Sequence, residues 1–164
     1  MISLKIIPVA IVLIIIIYLA SLSYMTRQHR IKPDDEHQLK PCPNKPNCVL
    51  SLSEKESQAI EAFQIKENNK QLSWENLKTA ITKSGGEILI DDGQYCHAVF
   101  TSTIFRFKDD FEAVQNNNQI NIRSASRAGK SDLGQNRKRV EKIRLLYNNY
   151  LVGCALHTIK LQHQ

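Results

Sequence analysis

The chain has 164 residues, 42% hydrophobic and 23% charged, and carries a net charge of +6 at neutral pH. That length is expected to hold one compact domain plus a short extra segment. The excess of Lys and Arg points toward acidic partners; charge balance of this kind bears on association, not on fold.

Residues 6–24 read IIPVAIVLIIIIYLASLSY, with no charged side chain. At about 1.5 Å per residue such a helix spans roughly 28 Å, close to the ~30 Å hydrocarbon core of a bilayer. Twelve of these residues are Ile, Val or Leu, and each favours insertion by roughly 0.3–0.6 kcal/mol at the helix centre. Pro8 falls in the first turn, where a missing N–H costs little. Residues 1–25 are therefore expected to be a transmembrane anchor or signal segment, with residues 6–24 in contact with the membrane. Lys5 supplies a thin positive n-region, and Ser21 and Ser23 a signal-peptidase-like exit. The apolar run nevertheless exceeds the roughly 7–15 residues of a signal core. A retained single-pass anchor is the expectation.

Residues 26–40 are polar and aperiodic and read as a juxtamembrane spacer. The domain proper is expected over 41–150, with 151–164 as a C-terminal tail. It opens on a Pro-rich loop, PCPNKPNC, bracketed by Cys42 and Cys48. Closing that loop through a disulfide would stabilise the fold by roughly 2–2.5 kcal/mol in the chain-entropy model. Cys96 and Cys154 complete an even set of four, either paired or both simply buried. Orientation has two opposed signals. Arg27, Arg30 and Lys32 after the apolar run, against Lys5 before it, favour a cytoplasmic domain. The cysteines favour an oxidising compartment. The expectation is an inner-membrane protein with its domain on the periplasmic side.

A short helix is expected near residues 56–63, and a clearer one begins at Ser73, read as its cap. Trp74, Leu77, Ala80 and Ile81 form one apolar stripe, and Gly85-Gly86 ends it. Four strands follow over 87–91, 95–102, 104–115 and 119–126, with turns at Asp92-Gly93 and at 116–118. The break in alternation at Asp109-Asp110 suggests a bulge or corner. A last helix over 133–149 places Val140, Ile143 and Tyr147 on one face. The expected fold is α+β: an N-terminal transmembrane helix, then a two-layer domain of helix, four-stranded antiparallel sheet and helix.

Residues 123–144 carry eight Lys or Arg against Asp132 and Glu141, so this segment alone matches the net charge of the chain. Passing from strand through turn into helix, it can gather charge on one surface. Two readings compete. In one, Arg123, Ser124, Ser126, Arg127, Asn136, Arg137 and Arg139 form a fork-shaped site for a carboxylate or phosphate. In the other, the arginines pair across the sheet in a structural ion network with Asp109, Asp110, Asp132 and Glu141. Asp132 also reads as a helix N-cap.

Three motifs here resemble one known family. They are Cys42-Pro43 with Pro46-Asn47-Cys48-Val49; Phe105 and Phe107 with Asp109-Asp110 and Glu112; and the run from Arg123-Ser124-Ala125-Ser126-Arg127 through Gly129, Ser131-Asp132-Leu133-Gly134 and Asn136-Arg137 to Arg139-Val140-Glu141. Together they resemble the bacterial "domain of unknown function 1499" family, over roughly residues 41–144. The resemblance implies a small protein, often with an export signal or membrane segment, with relatives in photosynthetic organelles. It implies no activity. Leu50 separates Val49 from Ser51, and Cys96 precedes His97 where an aliphatic residue is usual; both depart from the pattern.

Other chemistry finds little support. The segment 124–131 imitates a phosphate loop, but Ser124 stands where its first glycine belongs. Cys96 and His97 are adjacent in a strand and point to opposite faces, so they cannot share a metal with Cys154 and His157. Ser102, Ser124 and Ser126 lack a nucleophile elbow or a base at a telling spacing. The basic run has neither aromatic interleaving nor a recognition-helix pattern, which argues against nucleic acid. No metal and no cofactor is expected. The expected function is non-enzymatic: binding of an anionic lipid headgroup, acidic polymer or envelope protein through the Arg-rich surface. The alternatives are a hydrolase or transferase using Asp109, Asp110 or His97, and a structural subunit of a membrane complex.

Overall fold

The computed structural model describes residues 6–28, 37–65 and 69–161, with side chains over 7–27, 37–65 and 69–149. The first element, α1 (Ile6–Gln28), contains a stretch, Ile7–Arg27, long and apolar enough to cross a membrane. Then come β1 (Cys48–Leu50), β2 (Phe63–Gln64), α2 (Lys70–Lys83), β3 (Gly86–Asp91), β4 (Tyr95–Thr101), β5 (Lys108–Gln115), β6 (Gln119–Ser126) and α3 (Gln135–Leu161). The sheet has six antiparallel strands in the order β1-β6-β5-β4-β3, and β2 also pairs with β6.

The expected four-strand meander is present as β3 to β6. The two added strands lie end to end along the outer edge of β6, Cys48 opposite Ala125 and Phe63 opposite Ile120. At three and two residues they are too short for any alternation to register. The expected short helix near 56–63 is not formed. That segment is turn, with a single bridge between Leu50 and Ala59, and leads into β2.

Both α2 and α3 cover one face of the sheet. Trp74, Leu77, Ala80 and Ile81 from α2 meet Val140, Ile143 and Tyr147 from α3 over Cys96, Ala98, Phe100, Phe111, Ala113, Ile120 and Ile122. Alternation sends the neighbours of these strand residues, Tyr95, His97, Asp110, Glu112 and Arg123, to the opposite face. The cap of α2 differs from expectation. Asn69 Oδ1 accepts the N–H of Leu72, and Ser73 is buried inside the helix. Asn caps as well as Ser does, and it places the cap four residues earlier than expected.

The strand expected over 104–115 begins only at Lys108. Phe105 and Phe107 alternate in sequence, but Arg106 has φ of +58° and lies in a turn, a conformation that no strand accommodates. Asp109-Asp110 is no bulge; both residues pair regularly with β4 and β6, and the irregularity falls in β3 between Ile88 and Ile90. The last helix starts at Gln135, after a turn in which Leu133 and Gly134 have positive φ, and runs to Leu161, into the segment expected to form a tail.

Gly85 and Gly86 act differently. Gly85, at φ of +100°, ends α2 in the left-handed conformation that glycine adopts without penalty. Gly86 starts β3 where a Cβ would lie 2.7 Å from both Ile81 Cγ2 and Phe100 Cζ. Ile81 is buried and β-branched and has nowhere to move. Gly86→Ala should therefore destabilise the domain by about 1–3 kcal/mol. Thermal unfolding followed by circular dichroism in detergent should show a midpoint lowered by several degrees; an unchanged midpoint would contradict this close approach.

Candidate functional site

The face of the sheet away from the helices carries two linked charge clusters. In the first, Arg127 Nε and Nη2 donate to Asp110 Oδ2 and Oδ1 at 2.8 and 2.6 Å, a bidentate pair. His97 Nε2–H donates to the same Asp110 Oδ1 at 2.8 Å. Arg127 Nη1 donates to the carbonyl of Thr26 at 3.2 Å, which ties the cluster to the end of α1. In the second, Glu112 accepts from Tyr95 Oη at 3.0 Å and from Arg123 Nη1 at 2.9 Å. Sheet register explains both. Glu112 lies directly opposite Arg123 in β6, while His97–Asp110 and Tyr95–Glu112 are diagonal neighbours.

These groups are buried: His97 is 2% exposed, Asp110 and Glu112 3%. Burial alone would raise the Asp110 carboxyl, but the hydrogen bonds from His97 and Arg127 outweigh it and hold the group below the ordinary carboxylate value. Burial is also the first cause of the raised Tyr95 hydroxyl, with Glu112 adding to it, so that hydroxyl remains a donor. His37 stacks on the Tyr95 ring with centroids 5.1 Å apart, and its Nε2 lies 2.9 Å from Asp92. The chain arriving from α1 thus contacts this face before the Cys42–Cys48 loop.

The helix-covered face holds a third cluster. Arg139 Nη2 donates to Asp109 Oδ2 at 2.5 Å, and its guanidinium carbon stands 4.7 Å from the centre of the Phe100 ring. Asn136 is fully buried and donates to the carbonyl of Asn47 and to Ser126, and its Oδ1 accepts from Ser124 and Arg139. Asp132 accepts the N–H groups of Gly134 and Asn136 and closes the first turn of α3. Glu141 pairs along the helix with Arg144. Arg137 and Arg144 donate to the carbonyls of Ala59, Glu61 and Ala62, clamping the irregular segment before β2 onto α3.

The residues proposed from sequence are thus brought together in two places, not one. Asp109 and Asp110 point to opposite faces and cannot serve one reacting centre with His97. Arg123, Arg127 and Arg139 each hold a carboxylate, and Arg137 holds backbone oxygens, so the open fork of guanidinium groups is not formed. Cys42 and Cys48 lie at disulfide distance with Cα atoms 5.7 Å apart. Cys96 is a buried free thiol pushed up to about 12 by burial, which leaves it protonated and unreactive; the side chain of Cys154 lies outside the described residues.

Where α1 meets the open sheet face there is a cavity of about 410 Å³. Arg27, Lys108, Arg127, His97, Val99 and the acidic Glu87 are among its lining residues. Among the described residues, neither Arg27 nor Lys108 forms an ion pair. Lys108 was passed over in the sequence because it lies outside the basic run. Only its pairing with α1, through its N–H to Thr26 Oγ1 at 3.2 Å, brings it to Arg27.

Two outcomes check this geometry. Arg127→Ala leaves Asp110 buried without its counterion and should cost about 3–5 kcal/mol in chemical denaturation; a loss under about 1 kcal/mol would contradict the buried pair. The Asp110 carboxyl is depressed in the fold relative to its unfolded value of about 3.9. Its contribution is therefore complete above that value and is lost as pH falls through the lower folded value. Asp110→Asn should flatten the acid limb of stability against pH, and an unaltered limb would contradict the assignment.

Neither the curated proteins nor the solved structures offer a match to this chain. A family does: the one described as Protein of unknown function (DUF1499) matches residues 38–146, which run from just after His37 to the middle of α3 and include the charged side chains of all three clusters. The chain belongs to that family.

Proposed function

We propose that this protein is a single-pass, membrane-anchored domain of the cell envelope that holds an anionic group in the cavity between α1 and the open sheet face, and that it catalyses no reaction. The observation that carries the reading is the pair of cations, Arg27 and Lys108, that line that cavity and form no ion pair among the described residues. The length and apolar character of α1 support the anchor. The Cys42–Cys48 pair supports an oxidising compartment, hence the periplasmic side of the inner membrane. A phosphate at this level of α1 belongs most naturally to a lipid headgroup; an acidic envelope polymer presents the same chemistry.

Acid–base chemistry is the second reading, because His97 lines the same cavity. It is weaker, since Asp110 is saturated by Arg127 and the described lining offers no hydroxyl or thiol nucleophile. A structural subunit of a membrane complex would use the same fold without a ligand.

Native mass spectrometry of the detergent-extracted full chain separates these readings. Phosphatidylglycerol should be retained over phosphatidylcholine, and soluble polyphosphate should displace it only if a polymer is the partner. Each basic residue near a bilayer gains roughly 1 kcal/mol, so Arg27→Ala with Lys108→Ala should weaken retention roughly 30-fold. Equal retention of both lipids by the native chain would overturn the proposal.

A further inference from the structure

The loops flanking α1 carry large apolar side chains that nothing in the fold covers. Ile104 is 81% exposed and Leu133 83%, and the Phe105 ring stands 5.9 Å from that of Phe107. Local backbone holds them outward: Arg106 and Leu133 adopt φ of +58° and +54°, where non-glycine residues are uncommon and a bulky one is a genuine outlier. Strain of this sort persists only when its surroundings enforce it, and it clusters at sites of binding or switching.

Position is the decisive observation. Along α1, Leu19 and Leu22 are half-buried and Ser23 and Thr26 fully buried against the domain, the i, i+3, i+4, i+7 spacing of one helix face. Leu19 and Leu22 share an apolar cavity of about 370 Å³ with Phe107 and Leu133. At a rise of about 1.5 Å per residue, Leu22 and Leu19 lie roughly 7 and 12 Å below Arg27 along the helix axis. The loops therefore stand beside the apolar part of α1, below the level of its terminal arginine.

We infer that the two loops, residues 102–107 and 128–134, enter the interfacial layer of the bilayer beside α1, with Ile104, Phe105 and Leu133 at the boundary between headgroups and acyl chains. The exposed cations Arg106 and Lys130, which form no ion pair among the described residues, sit in the same loops and suit lipid phosphates. Apolar side chains reaching some 5–10 Å into the interface with basic residues above them are the usual composition of a monotopic contact. This inference rests on α1 spanning the membrane, and it makes the domain a body set into the bilayer surface instead of one swinging on a tether.

The test uses the full chain in lipid nanodiscs and the variants Ile104→Trp, Leu133→Trp and Ile17→Trp. The native Trp74 is 1% exposed in the core and supplies the background. With a nitroxide near the headgroup end of the acyl chain, Ile104→Trp and Leu133→Trp should lose most of their added emission. With a nitroxide near the methyl end, Ile17→Trp should be the one quenched. If Ile17→Trp is quenched while the loop tryptophans remain open to aqueous iodide, the loop insertion is overturned and the anchor stands. If no position is quenched, both the anchor and the insertion fall. Loop tryptophans that are blue-shifted yet insensitive to nitroxide would mean that a second copy covers them, which also overturns the inference.

Discussion

The bidentate bond between Arg127 and Asp110 is the constraint on which the rest of this architecture depends. It joins β5 to the residue that follows β6, draws in His97 from β4, and ties Nη1 to the Thr26 carbonyl in the last turn of α1. Removing two charges from water is costly, and such a pair is retained only when geometry and additional hydrogen bonds satisfy every atom. Here both Asp110 oxygens and all three guanidinium nitrogens have partners. The outcome is a rigid corner at which the apolar helix meets the sheet at a defined height.

Arg123 on Glu112 and Arg139 on Asp109 make two further carboxylate pairs, each through a single terminal nitrogen, and two more arginines secure backbone carbonyls. The arginines of a segment that looks in one dimension like a cationic surface are in three dimensions a set of clamps, while its lysines stay exposed. Among the cations that form no ion pair in the described residues, Arg27, Lys108, Arg106 and Lys130 lie at the end of α1 and in the loops beside it. These four cations share that end with the exposed side chains of Ile104 and Leu133. On the membrane-anchored reading proposed above, that end faces the lipid.

Much of the fold was legible in the chain. The Trp74–Ile81 stripe, the Gly85-Gly86 stop and the alternation over 119–126 each express a period that backbone geometry enforces locally. Failures followed the loss of such a period. β1 and β2 are too short to alternate and exist only because β6 offers an unpaired edge. Phe105 and Phe107 alternate as a strand would, yet the positive φ at Arg106 keeps both out of β5. The candidate site failed for a related reason. Clustering in sequence says nothing about which groups are already paired, and the partners of these arginines lie 11 to 30 residues away.

By itself the sequence determined the apolar helix, the hairpin order, the two covering helices and the family, because length, periodicity and motif are properties of neighbouring residues. Tertiary structure alone decided that Asp109 and Asp110 part to opposite faces, which guanidinium groups are neutralised, and which cations remain at the end of α1. Those outcomes turn on cross-strand register and burial. A charge shared between distant strands is visible only once the strands are brought within hydrogen-bond distance.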